Sequence, residues 1–240
     1  DVAGVYTTDP NIYHKARKLQ RISYDEMLEM ASMGAKVLHI RSVEFAKKYN
    51  VPVHVRSSFD DEPGTMVVKE DKSMEQVLVS GVAYSKGDAR ITLAGLPDVP
   101  GVAARIFTEI ANEGIVVDMI IQGSTADSDL ANLSFTVPRP DRQAAIRVLE
   151  GMKKEWKDLA ISSDENIAKI SVIGVGMRHH AGVAAKMFQT LGQENINIHM
   201  ISTSEIKVSC VIDDSHTAKA VKVLHDAFEV DQPLQHEIPE

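Results

Sequence analysis

Asp98 lies where this 240-residue chain is best suited to bind a small charged ligand. It stands three residues before Gly101, at the start of a helix-forming run, in the loop Leu96-Pro97-Asp98-Val99-Pro100-Gly101. The first N–H groups of a helix are unpaired and carry partial positive charge, so they bind carboxylates. A neighbouring carboxylate complements an ammonium group. The loop therefore predicts a site for a zwitterion such as an amino acid, with Gln122 adding an amide hydrogen bond.

The same loop allows a simpler interpretation, in which Asp98 only caps the helix or its turn. The residue types are the same in both cases, because aspartate is favoured at helix and turn starts whether or not a ligand is present. Both interpretations stay open at the level of sequence.

This segment is duplicated in the chain: residues 91–120 align without a gap on residues 172–201. In the second copy His179 replaces Asp98 and Ala181 replaces Pro100. A neutral histidine is a poor partner for an ammonium group, so we expect the two sites to differ. The run Thr203-Ser204-Glu205 follows the second copy, and it is either a source of ligand-binding hydroxyls and a carboxylate or a polar turn between strands.

Both copies have the same predicted order of elements, which is strand, helix, strand, strand, helix. The predicted strands are 89–95, 115–122 and 131–137, then 168–174, 196–202 and 206–212, and the predicted helices are 101–113, 141–152, 182–193 and 215–228. One further strand completes a ferredoxin-like βαββαβ sandwich. The strand-like run 76–84 could complete either repeat. The predicted fold class is therefore α+β.

The first 68 residues have a different pattern. Helical spacing of apolar residues extends from Tyr24 to Leu38, with Ser23 or Asp25 as the cap. Alternation predicts strands at 51–55 and 64–68, and the charged run 69–75 is typical of a linker. This part therefore predicts a separate α/β segment.

Composition excludes several classes of protein. A net charge of −8 argues against binding to nucleic acid or to an anionic membrane, which requires a basic surface. No apolar run approaches the ~18–20 residues of a membrane span, and we expect a cytoplasmic protein. The nine histidines show no metal-ligand spacing, so no metal site is predicted. The lone Cys210 lies in a strand-like run and is interpreted as a small buried hydrophobe.

Several motifs, in order along nearly the whole chain, resemble those of one family. The repeats with their Asp-x-Pro-Gly loop resemble paired ACT domains, which bind amino acids at domain interfaces. The opening run from Asp1 to Pro10 resembles the nucleotide-proximal signature of aspartate kinases, as do the runs 34–39 and 55–59. The run 201–206 is also similar to that family's sequences. The type most similar is the lysine- and threonine-inhibited bacterial enzyme with two C-terminal ACT domains.

The resemblance implies an enzyme that phosphorylates aspartate with MgATP as a substrate, and it implies no cofactor in this chain. It places nucleotide contacts at Asp1, Tyr6, Thr7, Thr8, Asp9, Pro10 and Lys36. It places effector contacts at Asp98, Val99, Pro100, Gly101, Val102, Ala103, Val116, Val117, Asp118 and Gln122, and in the second repeat at Val183, Ala184, Asn197, Ile198, Ser204 and Glu205. Asn11 departs from the arginine that is usual in the family.

The resemblance also predicts the domain organisation. Residues 1–68 are the C-terminal part of an amino-acid-kinase domain, 69–75 a linker, 88–160 the first ACT domain, and 76–87 with 161–240 the second. Because the chain starts at Asp1 and lacks the family's N-terminal catalytic segment, we expect it to be a fragment, with no catalytic residue and no activity alone. Lysine and threonine are the expected effectors. The expected partner is a second copy joined through the ACT domains or a separate catalytic chain, and the alternative is a stand-alone regulatory subunit.

Overall fold

The structure is a computed structural model that describes residues 2–35, 37–124 and 129–232. Its residues form two compact units, Lys86–Ala168 and the combination of Asp1–Ser85 with Lys169–Glu240. In chain order the elements are β1 (Arg21–Ser23), α1 (Tyr24–Ser32), α2 (Ile40–Tyr49), β2 (Val53–Val55), β3 (Thr65–Val68), β4 (Gly81–Ser85), β5 (Asp88–Pro97), α3 (Val102–Asn112), β6 (Asp118–Ser124), β7 (Leu130–Pro138), α4 (Arg142–Met152), β8 (Ala160–Asp164), β9 (Ile167–Ile173), α5 (Val183–Gln193), β10 (Met200–Thr203), β11 (Lys207–Asp213) and α6 (Thr217–Ala227).

The first repeat forms a four-stranded antiparallel sheet in the order β6-β7-β5-β8, with α3 and α4 packed against each other. Alternate residues of β5 and β7 are buried, including Ile91, Leu93, Leu133 and Phe135. They belong to one apolar cluster with the inner faces of both helices. This arrangement is the ferredoxin-like βαββαβ sandwich that the repeat predicts.

The second repeat forms the equivalent sheet in the order β10-β11-β9-β4. Every residue of β9 is buried, and α5 packs against α6. Its fourth strand comes from before the first repeat, because β4 pairs antiparallel with β9 from Gly81–Ile173 to Ser85–Lys169. The second repeat is therefore a circular permutation of the first, with the first inserted between its strands β4 and β9.

One predicted boundary is wrong. The predicted organisation places residues from 161 onward in the second ACT domain, but β8 pairs with β5 from Arg90–Asp164 to Ala94–Ala160 and closes the first sheet. Each repeat thus has its own fourth strand. The predicted strand 76–84 is also shorter than expected, because Met74–Gln76 form a 3-10 turn and only Gly81–Ser85 pair.

The N-terminal part has a three-stranded sheet, β1-β3-β2, in which β1 and β3 are parallel. Helix α1 packs against α2 and begins with a capping box between Ser23 and Glu26. The predicted helix 24–38 ends at Ser32, since Gly34 adopts a left-handed φ of 94° that ends the helical run. Helix α2 was not predicted, and it buries Val43 and Ala46.

Within the ranges that the structure describes, no helix is long and apolar enough to cross a bilayer.

Candidate effector sites

The first-repeat loop joins the end of β5 to the start of α3. Gly101 stands at the N-cap position with a left-handed φ of 97°, a conformation that glycine adopts without strain, and no side chain caps the helix. Asp98, Val99, Pro100 and Gly101 are exposed, while Val102 and Ala103 are half-buried. The loop therefore leaves a helix N-terminus open beside a carboxylate, as the sequence predicts.

The structure removes one of the two interpretations of Asp98. Its backbone N–H donates to the carbonyl of Asp129 at 2.9 Å, which anchors the loop. Its side chain makes no hydrogen bond or ion pair to any residue that the structure describes, and it does not cap α3. The carboxylate is therefore available to a ligand rather than engaged in a helix cap.

The other predicted positions of this site lie elsewhere on the sheet. Pro97 pairs with Leu130 of β7, whereas Asp118 pairs with Thr136, six residues further along that strand. At about 3.4 Å per residue the two levels are roughly 20 Å apart. Gln122 lies between them, opposite Leu133. One copy of the chain therefore does not bring Val116, Val117 and Asp118 to the Asp98 loop.

The second-repeat loop is a 3-10 turn, Val175–His179, followed by Gly182 and α5. Gly182 repeats the left-handed φ of 97° found at Gly101, and α5 has no side-chain cap. The start of the turn lies against the segment before β4. A Cβ at Gly176 would lie 2.3 Å from the carbonyl oxygen of Val77, and one at Gly174 would lie 2.4 Å from that of Leu78. Glycine is required at both positions by close backbone approach.

The structure joins this loop to the turn after β10. Met177, Arg178 and His179 line an open cavity of about 490 Å³ together with Ser204 and Glu205. The turn itself is closed by the Ser204 N–H, which donates to the carbonyl of Lys207 at 2.8 Å. These residues therefore form a strand-to-strand turn in which Ser204 and Glu205 also line the cavity, and their binding of a ligand stays a prediction.

Arg178 is the residue of this cavity that the sequence interpretation missed. Its guanidinium donates to both carboxylate oxygens of Glu70, at 2.7 and 2.9 Å, and lies 3.5 Å from the carboxylate of Glu205, whose side chain is 83% exposed. A cation and an exposed carboxylate thus stand side by side. Both kinds of charge therefore line the second loop, although Arg178 is already bonded to Glu70, and whether a zwitterion binds there stays a prediction.

The predicted effector positions of the second repeat, like those of the first, lie at two opposite ends of the sheet. Val183 and Ala184 open α5 beside the cavity loop, whereas Asn197 and Ile198 precede β10. Ser204 and Glu205 follow β10 and so lie at its other end. The structure brings Ser204 and Glu205 to the loop and leaves Asn197 and Ile198 apart from it.

The predicted nucleotide segment is only partly open to solvent. Tyr6 and Asp9 are half-buried and Pro10 is exposed, but Thr7 and Thr8 are buried, at 0% and 6% exposure. The Thr7 hydroxyl accepts from the Arg17 N–H at 2.9 Å and lies 2.8 Å from Nε2 of His225, and its carbonyl accepts from the Val82 N–H. The Thr7 side chain is therefore engaged within the fold, and its contact with a nucleotide stays a prediction. Asp1 and Lys36 lie outside the described residues.

Cys210 lies fully buried in β11. Burial raises the pKa of its thiol to about 12, so the reactive thiolate is suppressed. This agrees with its interpretation as a small buried hydrophobe. Among the residues that the structure describes, no three His, Cys, Asp or Glu side chains are grouped to hold a metal ion.

Comparison with known families identifies the class of protein that this fold and these loops define. The ACT domain family matches residues 91–151 and 170–228, which are the two repeats. The amino acid kinase family matches residues 1–57. The molecule is therefore a tandem ACT-domain protein joined to part of an amino acid kinase domain.

The chain belongs to the aspartate kinase family. It is 51% identical over 234 residues to an aspartate kinase of Stutzerimonas stutzeri, covering 97% of this chain and 57% of that protein. It thus spans little more than half the length of such curated relatives. The ligand-free regulatory subunit of aspartate kinase from Thermus thermophilus is 39% identical with a TM-score of 0.60, over 63% of this chain and 99% of that one. Aspartokinase III of E. coli, solved with lysine and aspartate, is 27% identical with a TM-score of 0.74, over 95% of this chain and 50% of that one.

Proposed function

We propose that this chain is the regulatory portion of a cytoplasmic aspartate kinase, and that lysine, threonine or both bind its ACT domains as feedback inhibitors. The inhibited reaction is the phosphorylation of aspartate with MgATP as a substrate, a step of lysine and threonine biosynthesis. The observation that carries the proposal is the exposed carboxylate of Asp98, which has no partner among the described residues and comes three residues before the uncapped start of α3. This pair matches the ammonium and carboxylate of an α-amino acid.

A second copy of the chain is the partner that completes the first site. Strand β6 lies at an edge of its sheet, with Ile120 53% exposed and Val116 of the preceding segment 70% exposed. Antiparallel pairing of β6 with its counterpart would place the Asp118 end of one copy beside the Ser124 end of the other. The Asp98 loop lies at the Ser124 end of its own sheet. The Asp98 loop of one copy and the Asp118 end of the other would therefore meet at a dimer interface.

The second-repeat cavity is a candidate for the other effector. Nη1 of Arg178 is bonded to Glu70 and Nε faces Glu205, so a ligand carboxylate would approach Nη2, while the exposed Glu205 carboxylate would take an ammonium group. Because the residue types differ from those of the first loop, the two sites are expected to prefer different amino acids.

Inhibition follows from population shift. The effector binds one arrangement of the enzyme better than another, and only that difference in affinity biases the equilibrium. Coupling free energies between such sites are typically ~1–3 kcal/mol.

Titration calorimetry of the 240-residue chain with lysine, threonine and methionine tests the proposal. We expect Asp98→Asn, which keeps the shape and removes the charge, to weaken binding at the first site by about 1.5–3 kcal/mol, or roughly 10- to 150-fold in Kd. Glu205→Gln is the matched control, because it removes a carboxylate from the other loop. Sedimentation of the same samples measures whether the ligand strengthens a dimer.

Equal affinity of Asp98→Asn and the wild-type chain for every amino acid would contradict the role of Asp98. No binding of any of the three amino acids would contradict the proposed function itself.

The second candidate is a stand-alone regulatory subunit without catalysis, which the coverage of 99% of the Thermus thermophilus subunit favours. The match of residues 1–57 to the amino acid kinase family favours the first candidate. Mass spectrometry of the protein in its source organism distinguishes them by locating the N-terminus. In both cases we expect the 240 residues alone to form no aspartyl phosphate.

A further inference from the structure

Glu26 is a buried acidic residue that joins the N-terminal part of the chain to the second repeat. It is only 2% exposed, although the acidic residue of a capping box is ordinarily a surface group. One carboxylate oxygen accepts from the N–H of Ser23 at 3.0 Å and from its hydroxyl at 2.7 Å. The other accepts from the hydroxyl of Ser80 at 2.5 Å and from the N–H of Val175 at 3.0 Å. A local cap is thus also a long-range link.

The partners of the second oxygen are placed at the cavity loop. Val175 is the first residue of the 3-10 turn Val175–His179, and the last three residues of that turn line the cavity with Ser204 and Glu205. Ser80 ends the segment that lies in close backbone contact with Gly174 and Gly176. A displacement of the turn by a ligand is therefore passed on to Glu26 through these hydrogen bonds.

All four protein groups that face this carboxylate donate a hydrogen bond, so the site requires an acceptor at both oxygens. A glutamine provides one acceptor oxygen and one NH₂ group. If the NH₂ group faces the Val175 side, it opposes the Val175 N–H, and if it faces the other side, it opposes the Ser23 N–H. Either orientation leaves a buried backbone donor unsatisfied, which is costly.

We propose that Glu26 is the positioning residue through which a ligand at the second-repeat loop acts on the amino acid kinase part of the protein. The carboxylate holds the start of α1 and the start of the cavity loop together, so the two move as one. This inference rests on the proposed function, because it identifies the link by which that loop regulates the enzyme.

The closest matched control is one helical turn further along α1. Glu29 forms an ion pair with Lys207 at 2.6 Å and so joins the same two parts of the chain, but its side chain is 25% exposed. Solvent reaches this pair and screens it more than the buried hydrogen bonds of Glu26. Glu29→Gln is therefore the same chemical change on the same helix without the buried link, and Ser80→Ala removes one bond of the link while Val175 stays bound.

The test uses the full-length enzyme from the source organism for kinetics and the 240-residue chain for hydrogen exchange and calorimetry. We expect Glu26→Gln to raise the lysine or threonine concentration for half-inhibition about tenfold or more, within the usual 5- to 150-fold range of allosteric coupling. Uninhibited kcat and KM and the Kd of the amino acid should change by less than about twofold, a split that a merely structural role would not produce. The Val175 amide should exchange faster. Ser80→Ala should also raise the concentration for half-inhibition and speed the exchange of the Val175 amide. Glu29→Gln should change neither of these two quantities.

If the wild-type enzyme is inhibited and Glu26→Gln is inhibited equally, the coupling role is overturned while the proposed function stands. Unchanged exchange of the Val175 amide in Glu26→Gln overturns the link independently of kinetics. If no amino acid inhibits the wild-type enzyme, the proposed function and the coupling fail together. Should Glu26→Gln fail to fold, Ser80→Ala decides, and its equal inhibition to wild type overturns the proposal.

Discussion

At the scale of single residues, His225 of α6 is a buried imidazole at a junction between sequence-distant parts. Its Nε2 lies 2.8 Å from the hydroxyl of Thr7, and its ring packs edge-on against Tyr13 with centroids 5.2 Å apart. Burial lowers the pKa of His225, with opposing contributions from the carboxylates of Asp231 and Asp226. The neutral ring is therefore the form that the folded chain favours.

This burial predicts a pH-dependent stability. The folded pKa lies below the ~6.5 of an unfolded histidine, so the unfolded chain binds more protons when the pH falls. The contribution of His225 is complete above about pH 6.5 and is lost as the pH falls below it. Urea unfolding at pH 7.5 and 5.5 should show a smaller loss of stability for His225→Gln than for the wild-type chain. His179→Gln, at an exposed position, should match the wild type, and parallel losses in all three would contradict the role of His225.

At the scale of elements, the close approach of the cavity loop to the segment before β4 depends on two glycines. The neighbours of a Cβ at Gly176 would be the carbonyl oxygens of Val77 and Glu75, which cannot rotate away as a side-chain end would. The repeat shows that Gly176 is the counterpart of Gly95, but the sequence does not show why glycine is needed there. The reason is non-local, since the obstructing atoms lie about a hundred residues earlier.

We therefore expect Gly176→Ala to destabilise the chain by about 1–3 kcal/mol, as overpacking of a filled site typically does. Gly192→Ala is the control, because that glycine lies in α5 and a Cβ there meets nothing within 4 Å. It should be stabilising by roughly 0.5–1 kcal/mol, the helix preference for alanine. Urea denaturation of both variants measures the difference. Equal stability of the two variants would show that the loop and segment are free to separate.

The apolar periodicity of the sequence predicts most, but not all, of the helices and strands. Helices α3, α4, α5 and α6 and the central strands of both repeats were predicted to within a few residues, because each buries one regular apolar face. Helix α2 was missed although Val43 and Ala46 face an apolar core cluster. Its other large apolar side chains include Phe45 and Tyr49, which are exposed and stack on each other, so they do not mark the buried face.

At the scale of the whole molecule, the two repeats differ in how their sheets are closed. The first is closed by β8, which follows it in the chain, and the second is closed by β4, which precedes the first repeat. Residues Lys86–Ala168 thus contain a complete sandwich. The segment 169–232 lacks its fourth strand, which would turn the fully buried inner strand β9 into an edge strand.

This difference predicts that Lys86–Ala168 folds as an isolated fragment and that 169–232 does not. Thermal melting followed by circular dichroism, with amide chemical-shift dispersion, should show a cooperative transition for the first fragment only. Joining residues 74–85 to the second fragment through a flexible linker should improve its folding, because β4 restores the missing pairing. Cooperative folding of 169–232 alone would show that strand β4 is dispensable.

The sequence by itself determined the duplication, the order of elements and the Asp98 loop, because apolar periodicity and helix-start signals are encoded locally. The tertiary structure alone decided which strand completes which sheet. The backbone hydrogen-bonding groups of β4 and β8 are identical, so they carry no information about which strand each will pair with. It also decided that Glu26 reaches Ser80 and Val175 and that Arg178 stands beside Glu205, contacts that bridge long stretches of chain. Local pattern thus predicts elements and loops, whereas the linkage between them depends on packing that brings distant residues together.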